Sequence, residues 1–213
     1  MTEYLTEQEQ IQQLKNWVKT YGFTILLGIA IALLVNSGWR FWQTRENKIL
    51  NQASEIYDQM IAFRAQNNTK AAETQANKLL SRYPKTPYAE MASLLLAHES
   101  VVEGDYTKAT TQLNWVIDHS KNPSMRVIAR LRIARILINQ NKPDEALNLL
   151  KTVDDISFIG LADEVKGDAY LAKNDKTSAF KAYQVALEEL PNAEINRPIL
   201  EMKLNNLAMK SHS

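Results

Sequence analysis

The stretch "GDAYLAKNDKTSAFKAYQVALEELP", residues 167–191, decides the fold. Gly167, Tyr170, Ala179, Tyr183, Ala186 and Pro191 stand at the spacing G-x2-Y-x8-A-x3-Y-x2-A-x4-P. Small residues at 167 and 179 let two antiparallel helices cross closely, and Tyr170 and Tyr183 fill the space beside them. "KNDK" supplies the turn between the helices, because Asn and Asp favour local turns. Pro191, which has no backbone N–H to donate, stops the second helix. One helical hairpin is therefore predicted here.

Sliding the same spacing backward finds weaker copies. Ala134, Leu137, Ala146, Leu150 and Val153 match around "NKPD" with a step of 33 residues. Ala97, Ala109, Leu113 and Val116 match 37 residues earlier around "EGDY", the extra length falling in "HSKNPS". Met60, Phe63, Ala72, Ala76, Leu79 and Pro84 match another 37 back, around "QNNT". The pattern resembles the tetratricopeptide repeat, in which each hairpin buries its neighbour's open face. The Trp and Leu usual early in the first helix are replaced by Asp163 and Lys166. After the last copy, "ILEMKLNNLAMK" places Leu200, Leu204 and Leu207 on one face, suited to capping an otherwise exposed apolar end.

Before the hairpins lies "GFTILLGIAIALLVNSGWRFW", residues 22–42. From Tyr21 to Trp39 no Lys, Arg, Asp or Glu occurs. Those residues make a helix of about 28 Å, against roughly 30 Å of bilayer hydrocarbon. Trp17 and Tyr21 at one end and Trp39, Phe41 and Trp42 at the other suit an interfacial aromatic belt. Two other readings fit less well. A cleaved signal peptide needs a basic start and a small-x-small site, whereas this start is acidic (Glu3, Glu7, Glu9). A buried core helix needs partners around its whole circumference. Orientation stays open: Lys15 and Lys19 precede the rod and Arg40, Arg45 and Lys48 follow it, a lean of one charge toward a cytoplasmic C-terminal side. Thr24, Gly28, Ala32 and Asn36 form one small or polar stripe, a candidate surface for packing against another membrane helix. Ile11, Leu14, Trp17, Val18 and Tyr21 share a face, so the segment before the rod either lies on the membrane or continues the helix.

The expectation is an all-α chain: an N-terminal single transmembrane helix, then a tetratricopeptide-like α-solenoid of about four helical hairpins with a C-terminal capping helix. Its segments are residues 1–20, the span at 21–42 and the repeat domain at 43–213. Composition narrows the function classes. The formal charge is +1 and remains +1 when residues 1–43 are set aside. No field exists to draw in nucleic acid. With no cysteine there are no disulfides, thiolates or Cys-based metal sites.

No catalytic constellation is visible, and no metal or cofactor is expected. His98–Glu99 opens like a zinc-protease helix, but Val102 stands where the second histidine belongs. His119 reads as a loop residue and His212 as part of a tail. Asp154–Asp155 and Glu188–Glu189 read as helix-end charge.

Repeat arrays bind, and the first helix of each hairpin lines the concave face. Leu94, Leu95, His98, Val101, Arg132, Arg135, Asn139 and Asp168 occupy that face by spacing. Arg126, Arg130, Arg132 and Arg135 crowd one helix, two of them facing inward. Arginine beside apolar surface suits a peptide carboxylate or acidic segment; a solvated helix with ordinary surface pairs is the alternative. The groove is also open to occupation by the chain's own C-terminal helix.

The order of parts resembles one family. "SGWRFWQ" at 37–43, "GDAYLAKNDKTSAFKAY" at 167–183 and "MKLNNLA" at 202–208 carry the likeness to the YfgM-type ancillary subunit of the bacterial SecYEG translocon. The resemblance implies a single-pass inner-membrane protein with a cytoplasmic N-terminus and periplasmic repeats. It implies partnership with SecYEG, with the membrane-anchored periplasmic chaperone PpiD and with translocating polypeptides. It carries no catalytic residues.

Overall fold

The computed structural model describes residues 7–190 and 197–210. Pro191 and His212 lie outside the described residues. Among those described, every regular element is helical: α1 (Glu7–Ala65), α2 (Thr69–Arg82), α3 (Pro87–Val102), α4 (Tyr106–His119), α5 (Pro123–Asn139), α6 (Pro143–Leu150), α7 (Ile159–Ala172), α8 (Lys176–Glu189) and α9 (Arg197–Lys210), with a 3-10 turn at Ile156–Phe158 before α7. Residues 1–52 form one unit and 53–213 a second.

In the first unit the helix is continuous, so the amphipathic stretch from Ile11 continues into the rod. The helix is long and apolar enough to cross a membrane, and none of its apolar window is buried in protein. That exposure is unlike a soluble core helix, whose apolar side chains would be covered. Trp17 packs on Tyr21 with ring centroids 5.9 Å apart, and Trp39 on Trp42 at 5.8 Å. Aromatic pairs thus bracket the apolar stretch. The boundary expected between residues 42 and 43 falls inside α1. Side chains of α1 enter the hairpin core from Ala53 onward.

The second unit pairs the end of α1 with α2, α3 with α4, α5 with α6, and α7 with α8, and α9 follows as the cap. Backbone chemistry sets this rhythm. Each hairpin turns through one residue at positive φ: Asn67 (57°), Gly104 (80°), Asn141 (65°) and Asn174 (59°). Asn and Gly tolerate this left-handed conformation because they hydrogen-bond locally or lack a Cβ. The next residue caps the second helix. Asn68, Asp105 and Asp175 accept from the backbone N–H of Ala71, Lys108 and Ser178. Lys142, at the equivalent place before α6, makes no such bond.

Packing explains why some copies were faint. At the helix crossing Gly167 faces Tyr183, and a Cβ on Gly167 would lie 2.3 Å from that ring. The equivalent pairs are Ala134 with Leu150, Ala97 with Leu113 and Met60 with Ala76, each within one core cluster. As the first-helix residue grows the second-helix residue shrinks, which keeps the filled volume near constant, as dense interiors require. The first helices are buried on two sides. On α5, Val127, Leu131 and Ala134 enter one cluster while Ala129, Ile133 and Ile136 enter another. The second helices bury one stripe, as Ala109, Leu113 and Val116 do on α4. Where the usual Trp and Leu are missing on α7, Lys166 and Asp163 form an ion pair at 2.6 Å.

Candidate functional site

Neighbouring first helices leave a concavity wherever the residues at their inner face are too small or too far apart to meet. Between α3 and α5, with Leu113 of α4 at its floor, this concavity holds about 350 Å³. Buried Ala97, Leu113 and Ile136 and half-buried Val101 make it apolar. His98, Arg132, Arg135 and Asn139 stand around it. Five of the eight expected groove residues, His98, Val101, Arg132, Arg135 and Asn139, therefore converge on one cavity. Helical periodicity explains the convergence: Arg132, Arg135, Ile136 and Asn139 are spaced three and four apart on α5.

Leu94 and Leu95 are half-buried and turn into two different core clusters, Leu94 toward α4 and α5, Leu95 toward α2. Asp168 lies apart from the cavity, one repeat further along. It accepts from the Tyr183 hydroxyl at 2.6 Å and from Lys203 Nζ of α9 at 2.8 and 3.0 Å. Lys203 Nζ also donates to Glu164 Oε1 at 3.0 Å and sits 5.6 Å from the centre of the Tyr183 ring. Burial works to lower the pKa of Lys203, but its hydrogen bonds and charge contacts with Asp168 and Glu164 outweigh it, and the net direction is upward. For the Tyr183 phenol, burial first and the bond to Asp168 second push the pKa far up. The groove is thus open between α3 and α5 and closed between α7 and α9 by the chain's own helix.

Arg135 bridges the two regions, its Nη2 lying 3.8 Å from the buried Glu164 Oε2. Arg132 makes no hydrogen bond or ion pair among the described residues. Burial, and then the nearby positive charge of Arg135, make its guanidinium less basic than usual. Arg126 turns away and donates to the Ser120 carbonyl at 2.9 Å.

Spacing did not reveal Ile136, Glu164 or Lys203. Ile136 follows Arg132 by four and was available from periodicity, whereas the Lys203 contacts require knowing where α9 returns. His119, expected in a loop, ends α4: its ring stacks on Trp115 at 4.4 Å, and Nδ1 lies 2.9 Å from the Trp115 carbonyl. Asp155 accepts from Ser157 N–H at the start of the 3-10 turn. In the first unit, Thr24, Gly28, Ala32 and Asn36 are all exposed, and nothing lies within 4 Å of a Cβ placed on Gly28.

A helix of membrane-spanning length joined to stacked helical hairpins with an apolar, cation-rimmed concavity defines a repeat scaffold of the tetratricopeptide class. Residues 15–209 match the tetratricopeptide repeat-like domain family. Three relatives each bear the name ancillary SecYEG translocon subunit. The Haemophilus influenzae protein is 30% identical over 97% of this chain and 100% of its own length. The Neisseria gonorrhoeae protein is 31% identical over 97% and 100%, and the Escherichia coli protein 24% identical over 98% and 100%. The chain belongs to this family of ancillary SecYEG translocon subunits.

Proposed function

We propose that this protein is a non-enzymatic, membrane-anchored adaptor of the SecYEG translocon, held in the bacterial inner membrane by the apolar part of α1. Its repeats would lie in the periplasm and hold a chaperone of the PpiD kind, or an emerging secretory chain, near the channel. The observation that carries this reading is the joining of an unburied apolar helix to an open repeat concavity, in a chain alignable end to end with relatives named for that translocon. In this reading Thr24, Gly28, Ala32 and Asn36 contact membrane partners, since small residues let helix backbones approach closely. His98, Val101, Arg132, Arg135 and Asn139 form the face turned to soluble partners, whereas Leu94 and Leu95 pack into core clusters and Asp168 is held by Lys203.

Photoreactive residues at Ala32, Leu94 and Arg135 test it in cells. The expected products are a translocon crosslink from Ala32 and chaperone or nascent-chain crosslinks from the other two. Capture of neither at any position would refute the proposal.

A second reading keeps the scaffold but turns its repeats to the cytoplasm, as the excess of Arg40, Arg45 and Lys48 over Lys15 and Lys19 favours. Alkaline phosphatase fused to the C-terminus decides between them. Activity in cells supports the periplasmic arrangement and silence the cytoplasmic one.

A further inference from the structure

Ahead of the apolar rod, α1 carries a second apolar face. Ile11, Leu14, Trp17, Val18 and Tyr21 share one side of the helix, and each exposes more than half of its surface. Gln12, Asn16, Lys19 and Thr20 hold the other side. A bilayer does not cover the apolar side. No break separates it from the rod, so it runs out along the axis of the span. At ~1.5 Å per residue, Leu14 lies about 10 Å and Ile11 about 15 Å beyond Tyr21, where the charge-free stretch begins. The headgroup layer adds only about 5–8 Å on each side of the hydrocarbon. Leu14 and Ile11 therefore project into water, where apolar side chains gain by meeting another apolar surface.

Resting on the reading of α1 as a membrane span, we propose that this face binds the same face of a second copy, the two helices pairing in parallel over residues 11–21. Heptad spacing puts Ile11 and Val18 at the a positions and Leu14 and Tyr21 at d. Branched residues at a with leucine at d favour two parallel strands, and copies inserted with one topology are parallel already. A seam this short is marginal in a free peptide. Here the span has already nucleated the helix, and confinement to one membrane raises the effective concentration of the partner. The flanks suit a self-pair, in which g and e positions meet across the contact. Lys15 falls opposite position 10, a glutamine, so no like charges oppose each other. Trp17 falls opposite Gly22. Glycine weakens a helix, and a Cβ on Gly22 would meet only Val18 Cγ1, at 3.5 Å, an ordinary contact. Nothing among the described residues calls for that glycine, whereas the indole of a second copy uses the space it leaves. Inside the bilayer lipid solvates the apolar side chains, so no hydrophobic drive holds the helices together there. At a crossing of ~20°, straight helices touching at Val18 are about 7 Å further apart at Ala32. Thr24, Gly28, Ala32 and Asn36 thus stay free for a different membrane helix.

The chain has no cysteine, so single cysteines in the full-length protein report without interference in inner-membrane vesicles. Under copper-phenanthroline oxidation, Leu14→Cys and Val18→Cys should form a disulfide-linked species at twice the 24.3 kDa of the chain. Their yield should exceed that of Asn16→Cys and Lys19→Cys, on the opposite side, at least about tenfold, because a disulfide needs Cα atoms within ~7 Å. Adding Leu14→Lys to the Val18→Cys chain should remove most of its disulfide, while adding Asn16→Lys should leave it unchanged; both chains should stay in the membrane pellet. Equal yields on the two sides, disulfides to another protein only, no disulfide at any of the four positions, or a Val18→Cys disulfide that survives Leu14→Lys would each overturn the inference. A translocon crosslink from Ala32 keeps this failure separate: if it persists, the adaptor stands and only the pairing of copies falls.

Discussion

At the scale of single residues, the hairpin crossing depends on matched volumes. Gly167→Ala would force its Cβ into the Tyr183 ring. Overpacking of this kind costs about 1–3 kcal/mol. The full-length protein should lose several degrees in Tm, followed by circular dichroism. The double variant Gly167→Ala with Tyr183→Leu recreates the Ala134–Leu150 pairing and should melt above the single variant; a double variant that melts lower still would refute volume matching. Gly167 and Tyr183 were legible because glycine inside a helical pattern demands a reason. Met60 and Ala76 were visible only as a degraded copy, because spacing registers which positions are buried and not which partner supplies the bulk.

At the scale of elements, α6 is the short second helix, eight residues against 14 in α2, α4 and α8. It also lacks a capping side chain at Lys142. Lys142→Asn should reproduce the Asn68 cap and stabilise by roughly 0.5–1 kcal/mol, the usual worth of such a bond. The Lys142–Glu145 pair it removes is exposed at both ends and contributes little. A Tm that fails to rise would show that α6 is limited by its length.

The α7–α8–α9 junction makes an opposite prediction, concerning pH. Lys203 and Tyr183 both have folded-state pKa values raised above their ordinary ones. Their stabilisation is therefore fully present below the unfolded values, roughly pH 10 for each. It is lost as pH rises further, when the unfolded state releases protons more readily. Tm should stay level from pH 8 to about 9.5 and fall by pH 11. Tyr183→Phe and Lys203→Met should each flatten that fall, and parallel curves in wild type and both variants would disprove the assignment. The repeated turns made these elements readable, whereas nothing in "MKLNN" alone signals that Lys203 bonds Asp168, 35 residues away.

At the scale of the whole molecule, the chain is an unburied apolar helix long enough to cross a membrane and a stack of hairpins. It should remain in the membrane pellet after an alkaline carbonate wash. Replacing Leu26 and Leu33 by Arg, each costing about 2.5–3.5 kcal/mol at a helix centre, should shift it toward the soluble fraction; retention of that variant would refute the span. The sequence by itself determined the helical class, the apolar rod, the four hairpins and the cap. These follow from local rules: helical period, turn residues at steps of 37, 37 and 33, and a length of apolar chain matched to lipid. Only the tertiary structure decided which part of the inner face is open. His98 and Asp168 hold equivalent places in the repeat, yet one borders an open cavity and the other is bound by Lys203. Spacing assigns a residue to a face, but whether that face is vacant depends on how far distant side chains reach across it.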